Sequence, residues 1–156
     1  MQYEKYENVE VSPDFIEYEF TSIGPKGEIP KIIQFNTTNN PEIFNLAFGN
    51  KKEDGSLDDF AKDDNKDRNK ILATVVSVID LFFSAYPGKW IFFSGSTIER
   101  TRLYRMAITI NLSELSADFQ IFGLLQDMEA FVKVPFEKGV DYFGFLVRKK
   151  SINFTE

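Results

Sequence analysis

Arg100, Arg102 and Arg105, three of the chain's five arginines, fall within six residues, just after the small-residue turn Gly95-Ser96-Thr97. The apolar pair Phe92-Phe93 leads into this turn, and a stretch with helical periodicity leaves it. Strand, turn and helix start in that order can hold an anion. The first backbone N–H groups of a helix lack partners inside it, and the helix dipole favours negative charge there. In that reading Gly95 permits close backbone approach, and Ser96 and Thr97 offer hydroxyls. Arg100 adds charge from the first turn, while Arg102 and Arg105 form a clamp whose planar guanidinium groups match phosphate or carboxylate oxygens. The Gly-x-x-x-x-Gly-Lys-Ser/Thr spacing of a P-loop is missing. A plainer reading uses the same residues: Ser96 and Glu99 make a Ser-x-x-Glu capping box, and Arg102 and Arg105 pair with acids such as those between Glu53 and Asp67.

Other chemistries are narrowed by composition. The chain has neither cysteine nor histidine, which removes thiol and imidazole nucleophiles, the usual zinc ligands, disulfides and the commonest general base. Carboxylates remain, so a Mg²⁺-dependent hydrolase would draw on Asp118, Asp127, Glu129 and Asp141. Asp63, Asn65 and Asp67 fit the first three ligand positions of a calcium loop, but Arg68 stands where glycine is needed and Thr74 where glutamate is needed. No metal and no cofactor is expected. Strand aromatics could stack unpaired bases if basic residues were interleaved on the same face. The first strand offers Glu17 and Glu19 there instead. A formal charge of −6 opposes nonspecific attraction to nucleic acid or anionic membrane, leaving room only for a local basic site.

The elements that must position these groups follow from periodicity. Ile16, Tyr18 and Phe20 alternate with Glu17 and Glu19 over residues 15–21, the period of a half-buried strand. After Gly24-Pro25-Lys26-Gly27 come apolar runs at 29–35 and 43–48, giving a three-stranded antiparallel meander. Residues 49–67 carry seven acids without periodicity and read as a mobile acidic loop. A helix is expected from about Arg68 to Ala85, apolar on most sides, with a narrow polar stripe of Lys70, Thr74 and Ser77. A short strand at 89–93 precedes the arginine-bearing helix. There Leu103, Met106, Ala107 and Ile110 should face the core, and Thr101, Arg102, Arg105 and Thr109 the other side. Two later strands are read near 118–124 and 142–149, joined by an irregular segment with Pro135 and Gly139.

The expected fold is thus α+β: an antiparallel sheet of about five or six strands with two helices packed on one face. At 156 residues it is read as a single domain, 1–156, able to bury roughly 70% of its unfolded surface, with a core dominated by its 17 phenylalanines. The start, Met1 to Glu7, has neither a basic cluster nor an apolar run, and no later stretch is long enough to cross a bilayer, so the protein is expected in the cytoplasm.

Several segments together resemble a small uncharacterised bacterial family, a domain of unknown function: Tyr18-Glu19-Phe20-Thr21 with Gly24-Pro25-Lys26-Gly27, Asn45-Leu46-Ala47-Phe48-Gly49, Asp67-Arg68-Asn69-Lys70-Ile71-Leu72-Ala73-Thr74-Val75, Gly95-Ser96-Thr97 with Arg100 to Met106, and Phe136-Glu137-Lys138-Gly139. The resemblance implies one domain and carries no assigned activity. The expected function is a non-catalytic binding module for a phosphate-bearing ligand, RNA, single-stranded DNA or a nucleotide, held by Gly95, Ser96, Thr97, Arg100, Arg102 and Arg105. The alternatives are one component of a two-protein system, which presents its acidic loop and sheet edge to a basic partner, and the carboxylate hydrolase.

Overall fold

The computed structural model describes residues 3–59, 61, 63–128 and 130–151. Among them are nine strands and three helices, more than the five or six strands and two helices expected from periodicity. They fall into two compact units, Met1–Pro87 and Gly88–Glu156.

The first unit contains β1 (Glu10–Val11), β2 (Glu17–Gly24), β3 (Gly27–Thr37), β4 (Ile43–Lys51), β5 (Leu57–Asp58) and α1 (Arg68–Ala85). Neighbouring strands run β1-β2-β3-β4, β5 pairs with β4, and every pairing is antiparallel. The expected meander is present, closed by a tight hairpin in which Gly24 faces Gly27 and Gly27 takes φ 91°, open to glycine without strain. Alternation along β2 buries Tyr18, Phe20 and Ser22. Helix α1 spans the expected residues, and its Phe82 ring stacks on Phe35 of β3 at 4.1 Å and meets Phe44 of β4 at 5.0 Å.

Thr74, on the expected polar stripe of α1, is fully buried. Its hydroxyl donates to the Lys70 carbonyl at 2.7 Å and accepts the Tyr6 backbone N–H at 2.9 Å, so burial leaves no polar atom of it unpaired. The acidic stretch 49–67 carries β5, and its last residues are tied to the β2–β3 hairpin. Asn65, nearly buried, donates to Ser22 Oγ and the Gly27 carbonyl, each at 3.0 Å, and accepts the Lys26 N–H at 2.7 Å. The Asp67 carboxylate accepts from the Tyr6 hydroxyl and from Ser22 Oγ, and Asp63 pairs with buried Lys31 at 2.6 Å. The Lys31 ammonium beside it holds the Asp63 carboxyl below its ordinary value against the opposing effect of burial.

The second unit contains β6 (Trp90–Phe93), α2 (Ile98–Ile110), α3 (Leu112–Asp118), β7 (Phe119–Asp127), β8 (Ala130–Pro135) and β9 (Gly144–Lys149). Its strands lie in the order β6-β9-β7-β8, all antiparallel. Sequence reading missed α3, which restarts one residue after α2, and β8, a short edge strand ending in proline. One face of these strands packs a core of Ile108 from α2 with Tyr142 and Phe145, joined by Phe93, Tyr104 and Leu112. Tyr142 lies flat there because Gly123 has no side chain: a Cβ at Gly123 would sit 2.2 Å from the ring. No described helix is long and apolar enough to cross a membrane.

Candidate functional site

The turn after β6 runs Ser94-Gly95-Ser96-Thr97, and Thr97 rather than Ser96 caps α2. The Thr97 backbone is extended and its hydroxyl accepts the Arg100 N–H at 3.2 Å. The expected capping box therefore starts one residue too early, and the helix is one residue shorter at its start. Thr101 ties the turn to the helix: its hydroxyl donates to the Thr97 carbonyl at 3.1 Å and accepts the Gly95 N–H at 3.0 Å. The Thr101 N–H also goes to the Thr97 carbonyl, at 3.1 Å. Backbone amides that an anion cradle would use at Gly95, Arg100 and Thr101 thus already have partners. Gly95 serves packing, since a Cβ there would lie 2.4 Å from the Thr101 nitrogen.

The orientation of α2 differs from expectation. Leu103, Met106 and Ile110, assigned to the core, are exposed. The inward residues are Thr101, Tyr104, Arg105 and Ile108, spaced at three, four and seven positions on one face. Their partners explain the rotation. Tyr104 meets Phe93 edge-on at 5.8 Å, Ile108 enters the Tyr142–Phe145 core, Thr101 holds the turn, and Arg105 Nη1 binds Asp141 Oδ1 at 2.7 Å. Side chains able to reach these fixed points outweigh the hydrophobicity of the opposite stripe.

A cleft of about 510 Å³ opens here, lined by Ser94 to Ile98, Thr101, Arg102, Arg105 and Asp141 to Phe143. It gathers five of the six residues expected to bind ligand: Gly95, Ser96, Thr97, Arg102 and Arg105. Arg100 is not among its lining residues. The two clamp arginines are unequal. Arg105 is inside the fold's ion pairing, its side chain 23% exposed and bound to the 73% exposed Asp141. Arg102 is exposed and has no hydrogen-bond or ion-pair partner among the described residues. The expected pairing of these arginines with acids from residues 53–67 does not describe Arg105, whose partner is Asp141.

Asp141, Tyr142 and Phe143 were not anticipated as part of this site. They lie 36 or more residues from the arginines they join, and nothing in their local spacing signals that meeting. Of the carboxylates considered for metal-assisted hydrolysis, Asp141 is paired with Arg105 and Asp118 is exposed at the end of α3. Glu129 and the Asp127 side chain lie outside the described residues. Among the described residues no three carboxylates gather at one point.

The arrangement supplies one available guanidinium, several hydroxyl-bearing side chains, and two aromatic rings along one wall. The chain belongs to a family of unknown function, DUF6934, whose family model matches residues 2–150. No curated protein and no solved structure matches the chain.

Proposed function

We propose that the protein is a non-catalytic binding module whose cleft at the start of α2 takes a phosphate-bearing ligand. The observation that carries this reading is Arg102, an exposed guanidinium with no partner among the described residues, on the wall of a cleft of about 510 Å³. That volume falls in the range of small-molecule sites. Ser94 and Thr97 place hydroxyls on the same cleft, and Phe143 gives a flat apolar surface beside them, suited to a base or other planar group. The contribution of backbone amides is smaller than a helix-terminus cradle would offer, so side-chain charge dominates.

Calorimetric titration with inorganic pyrophosphate and with a mononucleotide tests the reading. Arg102→Glu should lose measurable binding of both while the melting temperature stays within about 2 °C, because the side chain is exposed and pairs with none of the described residues. Unaltered binding by that variant, or none by the native protein, overturns it.

The protein-partner reading has a specific support of its own: Leu103, Met106 and Ile110 form an exposed apolar stripe on α2. It does not draw on the acidic stretch, since Asp63 and Asp67 are engaged within their own unit. The hydrolase reading has no observation in its favour.

A further inference from the structure

The strands of the second unit have another face, opposite the one that packs Tyr142, and it combines rings with cations. Register puts Phe92, Leu146, Phe122 and Pro135 in one row across β6, β9, β7 and β8, with Gly144, Leu124 and Lys133 in the next. Arg148 stands opposite Gln120 and hydrogen-bonds to it. Trp90 and Phe122 lie 5.6 Å apart, with Lys133 Nζ 4.7 Å from each ring centroid and the Arg148 guanidinium 4.6 Å from Trp90. Phe92 lies over Gly144, whose added Cβ would come within 2.7 Å of the ring, and continues through Phe143 at 6.5 Å to Phe131 at 4.5 Å beyond it. Phe131 and Phe143 are 52% and 48% exposed. No Asp or Glu occupies any register position of this face among the described residues.

We propose that this face of β6, β9, β7 and β8 is a stacking surface for single-stranded nucleic acid. Cations lying over Trp90 account for that ring as ordinary surface covering, but they leave Phe131 and Phe143 unexplained. Two stacked phenylalanines beside water, with lysine and arginine interleaved on the same face, are what unpaired bases and their phosphates require. A duplex keeps its base faces covered and cannot use such rings. The net charge is no obstacle at this location. The first unit carries nine Lys and Arg against sixteen Asp and Glu, whereas the second carries nine against eight. The acidic excess therefore resides in the first unit, and the field near this face follows the local balance.

The inference deepens the reading of the cleft and rests on it for one phosphate. Phe143 lines the cleft and also stacks on Phe131, so a strand anchored at Arg102 passes directly onto the rings. Lys133 and Arg148, which cover Trp90 in the free protein, turn to backbone phosphates as bases arrive. Stacking on an aromatic ring is stronger than an exposed cation–π contact, so the exchange is favourable.

Trp90 is the chain's single tryptophan, which makes the test specific. Labelled twelve-residue oligo-dT and oligo-U are titrated by anisotropy, with tryptophan emission followed in parallel and inorganic pyrophosphate titrated separately. The expected result is binding of the oligonucleotides with quenched Trp90 emission, little binding of the matching duplex, and a loss of roughly 5-fold to 100-fold in Phe131→Ala. Lys133→Ala should lower the slope of log K against log salt by about 0.7. Circular dichroism of both variants establishes that they remain folded, and the half-exposed position of Phe131 on an edge strand makes that the expected outcome. Preference between the two oligonucleotides separates RNA from DNA. Binding with unaltered Trp90 emission, indifference to both variants, equal binding of duplex, or no oligonucleotide binding overturns the inference. Pyrophosphate binding that persists in any of those cases leaves the cleft reading standing. Pyrophosphate that fails to bind, beside oligonucleotides that quench Trp90, overturns the cleft reading instead.

Discussion

Asp141 is the residue whose removal should improve binding. Its carboxylate occupies Arg105 at 2.7 Å and places a negative charge on the wall of the cleft proposed to take phosphate. Replacing it by asparagine keeps the shape, removes that charge and releases the guanidinium. For a ligand charge ~5 Å away, Coulomb's law gives about 0.8 kcal/mol at the dielectric of water and ~3 kcal/mol at an effective dielectric of 20. Asp141 is 73% exposed, so the lower figure governs. Release of Arg105 for a charge-assisted contact adds a further fraction of a kcal/mol. Pyrophosphate affinity of Asp141→Asn should therefore rise about 5-fold to 10-fold. An exposed ion pair contributes 0 to ~1 kcal/mol to stability, so the accompanying loss should be no more than that. Titration calorimetry at low salt measures the gain, repetition in ~0.5 M NaCl should shrink it by screening, and urea unfolding measures the cost. Unchanged or weaker binding would refute the reasoning, since it would mean that Asp141 orients Arg105 for the ligand rather than competing with it.

Two further expectations concern the fold that carries these sites. Tyr18 is fully buried and its hydroxyl has no hydrogen-bond partner among the described residues, so Tyr18→Phe should be neutral or stabilising by ~1 to 3 kcal/mol in urea unfolding, and a loss of more than ~1 kcal/mol would contradict an unpaired hydroxyl. Burial, with smaller contributions from Tyr86 and Asp14, pushes that hydroxyl up to about 12, above its ordinary 10.0, so its titration leaves stability unchanged with pH below 10 and lowers it as pH rises from 10 towards 12, where the unfolded chain ionises first. Tyr18→Phe should lack this alkaline component, which unfolding curves recorded across that window would detect. Gly123→Ala should cost ~1 to 3 kcal/mol, because its methyl group would press within 2.2 Å of the buried Tyr142 ring, and an unchanged unfolding midpoint would show that the ring can move aside.

Patterns confined to a few neighbouring residues were readable in the sequence. The alternation of Tyr18 and Phe20, the Gly24 to Gly27 turn and the span of α1 all depend on local periodicity and turn chemistry, and they came out as expected. The face of α2 did not. Hydrophobicity pointed Leu103, Met106 and Ile110 inward, whereas Thr101, Tyr104 and Arg105 are held there by Gly95, Phe93 and Asp141. Two of those partners precede the helix and the third, Asp141, lies 36 residues after Arg105, so a scale applied within the helix has no access to them. Thr74 was misjudged for the same reason: its partner is the backbone of Tyr6, 68 residues away. The Gly95–Thr97 turn and its arginines were legible as a cluster of residue types, but which of the arginines lining the cleft is already paired was decided by Asp141.

Net charge misleads about nucleic acid here because it averages over units of opposite character. Glu17 and Glu19 on β2 belong to the unit with sixteen acids, and there the argument against stacked bases holds. On β6 to β9 the parity of side chains changes the answer. Residues at alternate positions place Lys133 and Arg148 with Trp90 and Phe122, while the opposite parity sends Ile91, Phe93, Phe145 and Val147 to the helix side. A one-residue slip of β9 against β7 would turn Leu146 and Arg148 to the helix side and Phe145 and Val147 away from it. Gly123 and Gly144 oppose such a slip, since each admits a ring, Tyr142 on one face and Phe92 on the other, that a side chain at the shifted position would exclude. The two glycines, one on each face, therefore fix which side of β9 and β7 carries Phe92 and Arg148 and which carries Tyr142.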